Sequence, residues 1–302
     1  MGILVNNATR VLCFAGESGR LAAAVAAMRE AGTHVVALVD PAGGCTDRCG
    51  LPAFDTAVRA VRDAGANAAV VLLPRPVAAD ALMEAVDAHI PLIVCTARGV
   101  PVRDMVKVIN YLQGSADLTG PRHSEGTTWL LGPGSAGVIT PGAGMVGVID
   151  VRAFRPGRVA IVSRSNCLAE AAGAALGAEQ IGQSTCIATG FALVSPTRIG
   201  SVLGMLEADP DTEIVVLIGG VGGGPEFEAA AFIKEAVAKP VIAFLPGRSA
   251  PPGINIGAEG DFVSARADEI EEKTTALRDA GVQVVARFDD IVPAVAEKLQ
   301  PL

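Results

Sequence analysis

Short runs of β-branched and other apolar residues alternate along this chain with longer alanine- and leucine-rich segments of helical period. Many repeats of a short apolar strand followed by a helix are typical of α/β folds with parallel sheets. The strands are nearly continuous apolar runs, which indicates that both faces of each sheet are buried. Ligands of such sheets bind beyond the carboxyl ends of the strands, so we expect function in the strand-to-helix turns.

The alternation occurs in two series separated by a glycine- and proline-rich stretch. The first predicts a Rossmann-like half, with strands and helices at residues 10–15, 19–31, 34–39, 68–73, 77–88 and 92–95. The second predicts a flavodoxin-like half, with elements at residues 158–163, 167–176, 213–218, 225–236 and 240–244, followed by a helix, a strand at residues 282–285 and a last helix. Between them, residues 114–150 are expected to form a linker and an irregular hairpin. We therefore predict one domain over residues 1–150 and another over residues 151–302.

Charge and composition exclude several classes of protein. The formal net charge is −8 and no basic cluster is longer than two residues, so we expect no surface for nucleic acid. No apolar run approaches the roughly 18 residues of a membrane-spanning helix, so we expect no membrane association. The six scattered cysteines and the lack of a signal peptide predict a reducing, cytoplasmic compartment. No metal site is expected, because the cysteines lack the second ligand pair that zinc needs.

Three turns rich in glycine or serine follow predicted strands and precede predicted helices. They are Gly16-Glu17-Ser18-Gly19-Arg20, Ser163-Arg164-Ser165-Asn166 and Gly219-Gly220-Val221-Gly222-Gly223-Gly224. Free backbone N–H groups and the helix dipole favour an anion in such turns. The first turn is equally explained as a tight βα connection and the second as a helix N-cap, whereas the third has more glycines than a turn requires. The residues alone therefore predict a two-domain α/β protein that can bind phosphate.

Several segments, taken in order, resemble the α subunit of succinyl-CoA synthetase, also called succinate–CoA ligase. They span nearly the whole chain and include Gly50-Leu-Pro-Ala-Phe54, Gly137-Val-Ile-Thr-Pro-Gly142, Pro156-Gly-Arg-Val-Ala-Ile-Val-Ser-Arg-Ser165, Gly182-Gln-Ser-Thr-Cys186 and Lys239-Pro240-Val241. The resemblance implies an N-terminal Rossmann-like CoA-binding domain and a C-terminal flavodoxin-like ligase domain, with mostly parallel sheets. It also implies an ATP-grasp β-like partner that holds ATP, Mg²⁺ and a small carboxylic acid, in a heterodimer or heterotetramer.

The turns and the resemblance together imply which residues contact ligands. The expected CoA-binding residues are Gly16, Ser18, Gly19, Arg20, Pro41, Thr96 and Ser135. The expected phosphate-binding residues are Ser163, Ser165, Asn166, Gly222 and Gly223.

The CoA-binding turns differ from the family pattern in their charge. A family lysine corresponds to Gly43, and Glu17 would repel the phosphates of CoA. Arg20, or Arg98 where the family has a glutamate, would offset that repulsion.

The departures extend to the residues that perform chemistry in the family. The phosphorylated histidine of the family corresponds to Ala258, which cannot accept a phosphoryl group, and the glutamate that steadies the histidine corresponds to Gly220. One hypothesis is an ATP-dependent ligase subunit in which CoA or another nucleophile attacks an acyl phosphate directly, without the phosphohistidine. A second is a non-catalytic subunit or sensor that binds CoA or a nucleotide. A third, ordinary succinate–CoA ligase activity, conflicts with Ala258.

Overall fold

The computed structural model describes residues 3–15, 19–40, 49–115, 128–192, 194–247 and 267–299. Its strands lie in two sheets, and the first is entirely parallel in the described residues, in the order β3-β2-β1-β4-β5-β6. These strands are β1 (Arg10–Phe14), β2 (His34–Val39), β3 (Ala53–Phe54), β4 (Ala68–Val71), β5 (Leu92–Cys95) and β6 (Trp129–Leu131). The helices that alternate with them are α1 (Arg20–Glu30), α2 (Ala57–Ala64), α3 (Arg75–Asp87) and α4 (Val102–Ser115).

The second sheet has the order β13-β12-β11-β9-β10-β7-β8. Its strands are β7 (Gly137–Thr140), β8 (Gly144–Gly147), β9 (Pro156–Ser163), β10 (Gln183–Ala188), β11 (Ile214–Ile218), β12 (Val241–Phe244) and β13 (Gln283–Val285). Strands β9 to β13 are parallel, whereas β7 and β8 form an antiparallel hairpin at one edge. The accompanying helices are α5 (Asn166–Ala178), α6 (Ile199–Ala208), α7 (Pro225–Ala236), α8 (Ala267–Asp279) and α9 (Ile291–Lys298).

Both faces of the first sheet are buried. Successive side chains of a strand point to opposite faces, so the contacts of β1 show what covers each face. In β1, Leu12 and Phe14 belong to a hydrophobic cluster that includes residues of α2, α3 and α4. Val11 and Cys13 belong to a second cluster, which includes residues of α1 and continues into the second sheet. The predicted fold class, a Rossmann-like half followed by a flavodoxin-like half with mostly parallel sheets, is confirmed.

Within the described part of residues 114–150, the structure contains the expected hairpin, formed by β7 and β8, and one strand that was not predicted, β6. Strand β6 completes the first sheet, and β7 and β8 extend the second, so the chain passes between the sheets from Leu131 to Gly137. In β7 and β8, glycines stand where the two backbones meet. Gly137 and Gly147 face each other, and a Cβ atom on Gly137 would lie 2.0 Å from the carbonyl oxygen of Val146.

Other element bounds differ slightly from the predicted ones. Helix α3 begins at Arg75, two residues before the predicted start at Val77, because Pro76 fits the first helical turn. Within the described ranges, no helix is long and apolar enough to cross a membrane.

Candidate functional site

The predicted ligand-binding residues lie at the carboxyl ends of parallel strands wherever the structure describes them. Gly16, Ser18, Pro41 and Ala258 lie outside the described residues. The assignment of individual residues to CoA or phosphate stays a prediction.

The strand order of the first sheet reverses direction between β1 and β4, which makes a crevice at their carboxyl ends. Helix α1 starts there at Arg20, and its N-cap Gly19 makes no side-chain capping hydrogen bond. The first N–H groups of this helix therefore have no acceptor from an N-cap side chain. Thr96 follows β5 and is half-buried, and its hydroxyl donates to the carbonyl oxygen of Val71 at the end of β4.

Ser135 joins the carboxyl ends of the two sheets. Its N–H donates to the carbonyl oxygen of Cys95 at the end of β5, over 3.0 Å. Its hydroxyl donates to the carbonyl oxygen of Ala188 at the end of β10 and accepts from the N–H of Gly137. The side chain is 1% exposed, so this predicted CoA-binding residue uses its polar atoms inside the protein.

Asn166 strengthens the same junction from the start of α5. Its Oδ1 accepts from the N–H of Ala136 and its Nδ2 donates to the carbonyl oxygen of Gly134, each over 3.0 Å. Residues 134–136, which follow the last strand of the first sheet, are thereby held against the predicted phosphate turn. The structure thus brings the predicted CoA and phosphate residues Ser135 and Asn166 next to each other.

The predicted serines of that turn serve the turn itself. Ser163 Oγ donates to the carbonyl oxygen of Ser165 and accepts from its N–H. Ser165 is the N-cap of α5 and its hydroxyl accepts from the N–H of Leu168, which is the capping role that the sequence also allowed.

The turns after β9 and β11 meet, because these strands are neighbours at the reversal of strand order in the second sheet. Arg164 follows β9, and its Nη1 donates to the carbonyl oxygen of Gly222 over 3.0 Å. Gly222 and Gly223 have φ values of +78° and +77°, which non-glycine residues rarely adopt. The N-cap of α7, Gly224, makes no side-chain capping hydrogen bond.

A buried group of charges lies beside the glycine turn. Arg164 is 4% exposed, and Glu226 and Lys273 are fully buried. Arg164 Nη1 lies 2.9 Å from Glu226 Oε1, and Lys273 Nζ lies 3.0 Å from Glu226 Oε2 and 3.1 Å from Glu269 Oε1. Opposite charges this close compensate much of the cost of removing each from water.

The same buried charges hold both backbone groups of Gly220. Glu226 Oε1 accepts from the N–H of Gly220 over 2.8 Å, and Lys273 Nζ donates to its carbonyl oxygen over 3.2 Å. Sequence reasoning missed Glu226 and Lys273. One signal in the sequence could have found them. Each is a charged residue at a helix position that faces the core, in α7 for Glu226 and in α8 for Lys273.

Gly220 has no room for a side chain in this arrangement. A Cβ atom there would lie 2.5 Å from Phe191 Cε2 and 2.9 Å from Arg164 Nη1. The Arg164 guanidinium carbon lies 4.8 Å from the centre of the Phe191 ring, which places a cation over the ring face. Phe191, a residue that sequence reasoning also missed, therefore fills space that a glutamate at position 220 would need.

Two thiols near the ends of strands are poor nucleophiles. Burial raises the pKa of Cys13 in β1 to about 12 and that of Cys95 in β5 to about 11, so both stay protonated at neutral pH. Cys167, in the first turn of α5, is exposed. Among the residues that the structure describes, no three His, Cys, Asp or Glu side chains form a group that could hold a metal ion.

Two family models match this chain and together cover most of it. A CoA binding domain matches residues 6–99, and a succinyl-CoA ligase like flavodoxin domain matches residues 156–297. The succinate–CoA ligase [ADP-forming] subunit alpha of Aquifex aeolicus is 38% identical over 99% of this chain and 95% of its own length. The malate–CoA ligase subunit alpha of Methylorubrum extorquens is 36% identical over 99% of both chains.

A similar fold occurs in a solved structure of ATP citrate lyase from Methanosaeta concilii, determined in complex with (3S)-citryl-CoA. The two share 20% sequence identity with a TM-score of 0.81 over 97% of this chain. This chain spans half of that longer chain, so the likeness is one of fold.

Proposed function

This chain belongs to the family of succinate–CoA ligase α subunits, and from that premise we propose that it is the α-like subunit of an ATP-dependent acid–CoA, or acid–other nucleophile, ligase. It acts with an ATP-grasp partner in the cytoplasm. A small carboxylate attacks the terminal phosphoryl group of ATP, which forms an acyl phosphate and releases ADP. The acceptor nucleophile then attacks the acyl carbon and loses its proton, and inorganic phosphate leaves. No phosphohistidine relay takes part.

The double contact of Ser135 carries this proposal. Its N–H bonds to the end of β5 and its hydroxyl to the end of β10, so the carboxyl edges of the two sheets adjoin. A mobile phosphohistidine is needed when a phosphoryl group must travel between distant sites. The predicted CoA and phosphate residues thus lie at adjoining edges, which supports direct transfer, a step that requires reacting atoms to approach within about 3–3.5 Å.

The described residues fit the ligands that this function needs. CoA carries several phosphates and supplies a thiol as the acyl acceptor. Arg20 and the uncapped start of α1 offer positive charge and N–H groups at the first crevice. Ser165, Asn166 and the glycine turn offer the starts of α5 and α7 to a phosphoryl group.

A second candidate function is a non-catalytic subunit that binds CoA and stabilises its partner. The packing around Gly220 favours it, because Phe191 and Arg164 occupy the space of the family's glutamate. The two candidates differ in whether ATP is consumed.

The test combines this chain with its ATP-grasp partner and [γ-32P]ATP. Release of ADP that depends on a carboxylic acid such as succinate or malate, with CoA or hydroxylamine as acceptor, supports the ligase. An α subunit that has the family histidine is the positive control for phosphorylation of this chain. Acid-labile label on this chain would contradict the direct route, and CoA binding without ADP release would establish the non-catalytic subunit.

A further inference from the structure

Four exposed arginines associated with the first sheet have no hydrogen-bond or ion-pair partner in the described parts of the chain. They are Arg20, Arg75, Arg98 and Arg103. The other described arginines of this part of the chain have partners: Arg10 donates to Ala64, Arg29 donates to Cys49, and Arg59 and Arg62 pair with Asp55 and Asp63. These four guanidinium groups therefore keep their donors available for an anion.

All four unpartnered arginines follow the carboxyl ends of strands. Arg20 and Arg75 begin α1 and α3, and so they border the crevice between β1 and β4. Arg98 and Arg103 follow β5, the next strand of the sheet. The positive charge therefore collects at the edge where a ligand of this fold binds.

The side chains of Arg75 and Arg98 lie against glycines that follow β5 and β6. A Cβ atom on Gly99 would be 3.5 Å from Arg75 Nη1, so this guanidinium rests on the glycine. A Cβ atom on Gly134 would be 3.6 Å from Arg98 Cγ, which places the side chain of Arg98 along the segment that leads to Ser135. The two side chains therefore reach neighbouring segments at the carboxyl edge of the first sheet, one after β5 and one after β6.

We propose that Arg75 and Arg98 form an anion subsite that binds a phosphate group of CoA. The proposal rests on the proposed function. Like charges gathered without a counterion repel each other, and a bound phosphate removes that cost. The planar guanidinium also matches phosphate oxygens with paired hydrogen bonds. The resemblance places a lysine of the family at the position of Gly43. Arg75 and Arg98, which follow β4 and β5, would supply the positive charge that this chain lacks there.

The experiment is calorimetric titration of the full chain with CoA and with 3′-dephospho-CoA. The variants are Arg75→Met, Arg98→Met and the double variant. Arg62→Met is the matched control, because it removes one exposed arginine of the same domain that already pairs with Asp63. Since Arg75 and Arg98 are exposed and form no ion pair with a carboxylate in the described residues, the variants should keep the wild-type thermal midpoint.

We expect each single variant to bind CoA about 10- to 100-fold more weakly, as for the loss of a hydrogen bond to a charged group, with a smaller dependence on salt. If the pair binds the 3′-phosphate, the double variant no longer distinguishes CoA from 3′-dephospho-CoA. If it binds the diphosphate, both ligands weaken equally. Wild-type affinity in the double variant would overturn the subsite alone. A wild-type protein that does not bind CoA would overturn the subsite together with CoA as the acceptor.

Discussion

At the scale of single residues, the packing around Gly220 determines which side chain the turn after β11 accepts. We expect Gly220→Ala to lower the free energy of unfolding by about 1–3 kcal/mol, the usual cost of overpacking, because the new Cβ atom would meet Phe191 and Arg164. Gly224→Ala is the control, since a Cβ atom there has nothing within 4 Å. Urea denaturation measures both.

A double variant tests the cause of that loss. Adding Phe191→Ala to Gly220→Ala should recover part of the stability, giving an interaction free energy of about 0.5 kcal/mol or more. Strict additivity of the two changes would show that Phe191 does not occupy the space in question.

The buried charges make a second prediction for individual residues. Lys273→Met leaves the carboxylate of Glu226 buried with one cation fewer, so we expect a loss of about 3–5 kcal/mol in the free energy of unfolding. Arg59→Met breaks the exposed pair with Asp55, whose side chains are 52% and 61% exposed, and should cost less than about 1 kcal/mol. Equal losses in the two variants, measured by chemical denaturation, would contradict the buried ion pair.

At the scale of elements, the hairpin of β7 and β8 depends on two facing glycines. Because a Cβ atom on Gly147 would lie 2.0 Å from the carbonyl oxygen of Ala136, Gly147→Ala should separate the hairpin strands. Hydrogen exchange at Val138 and Val146 measures this separation and should become faster. A Cβ atom on Gly114 in α4 would lie in open space. Gly114→Ala should therefore stabilise the chain by about 0.5–1 kcal/mol, because alanine favours a helix more than glycine does. Unchanged exchange in Gly147→Ala would show that the strands tolerate a wider spacing.

At the scale of the whole molecule, a continuous core and a buried hydrogen-bonded contact connect the two sheets. One hydrophobic cluster includes Leu38 of β2 and Ile161 of β9. The buried hydroxyl of Thr33 donates to the carbonyl oxygen of Met145 in β8 and accepts from its N–H. The two halves therefore bury apolar surface together, which favours cooperative unfolding.

This connection predicts a single unfolding transition. Trp129, the one tryptophan of the chain, lies in β6 of the first sheet and reports on that sheet by fluorescence, whereas circular dichroism reports on both halves. The two urea midpoints should coincide. A fluorescence midpoint clearly different from the circular dichroism midpoint would show that the halves unfold independently.

The sequence by itself determined the alternation of elements, the two-domain class and the turns at the ends of the strands. These are local properties: apolar runs, helical periods and glycines are each recognisable within a few residues. Strand β6 was not predicted. The hairpin of β7 and β8 was expected without the bounds of its strands, because Gly137 and Gly147 suit close contact with another strand and give no local apolar pattern. Similarity of the segments in order identified the family, but it assigned no role to Phe191, Glu226 or Lys273.

The tertiary structure alone decided which of these residues meet. Glu226 and Arg164 are 62 positions apart in the chain, and Ser135 contacts two strands from different sheets. Such contacts depend on the order in which strands lie side by side, and that order follows from the burial of whole faces and not from any one segment. Sequence could therefore predict the turns of the site, whereas their neighbours across the sheet required the fold.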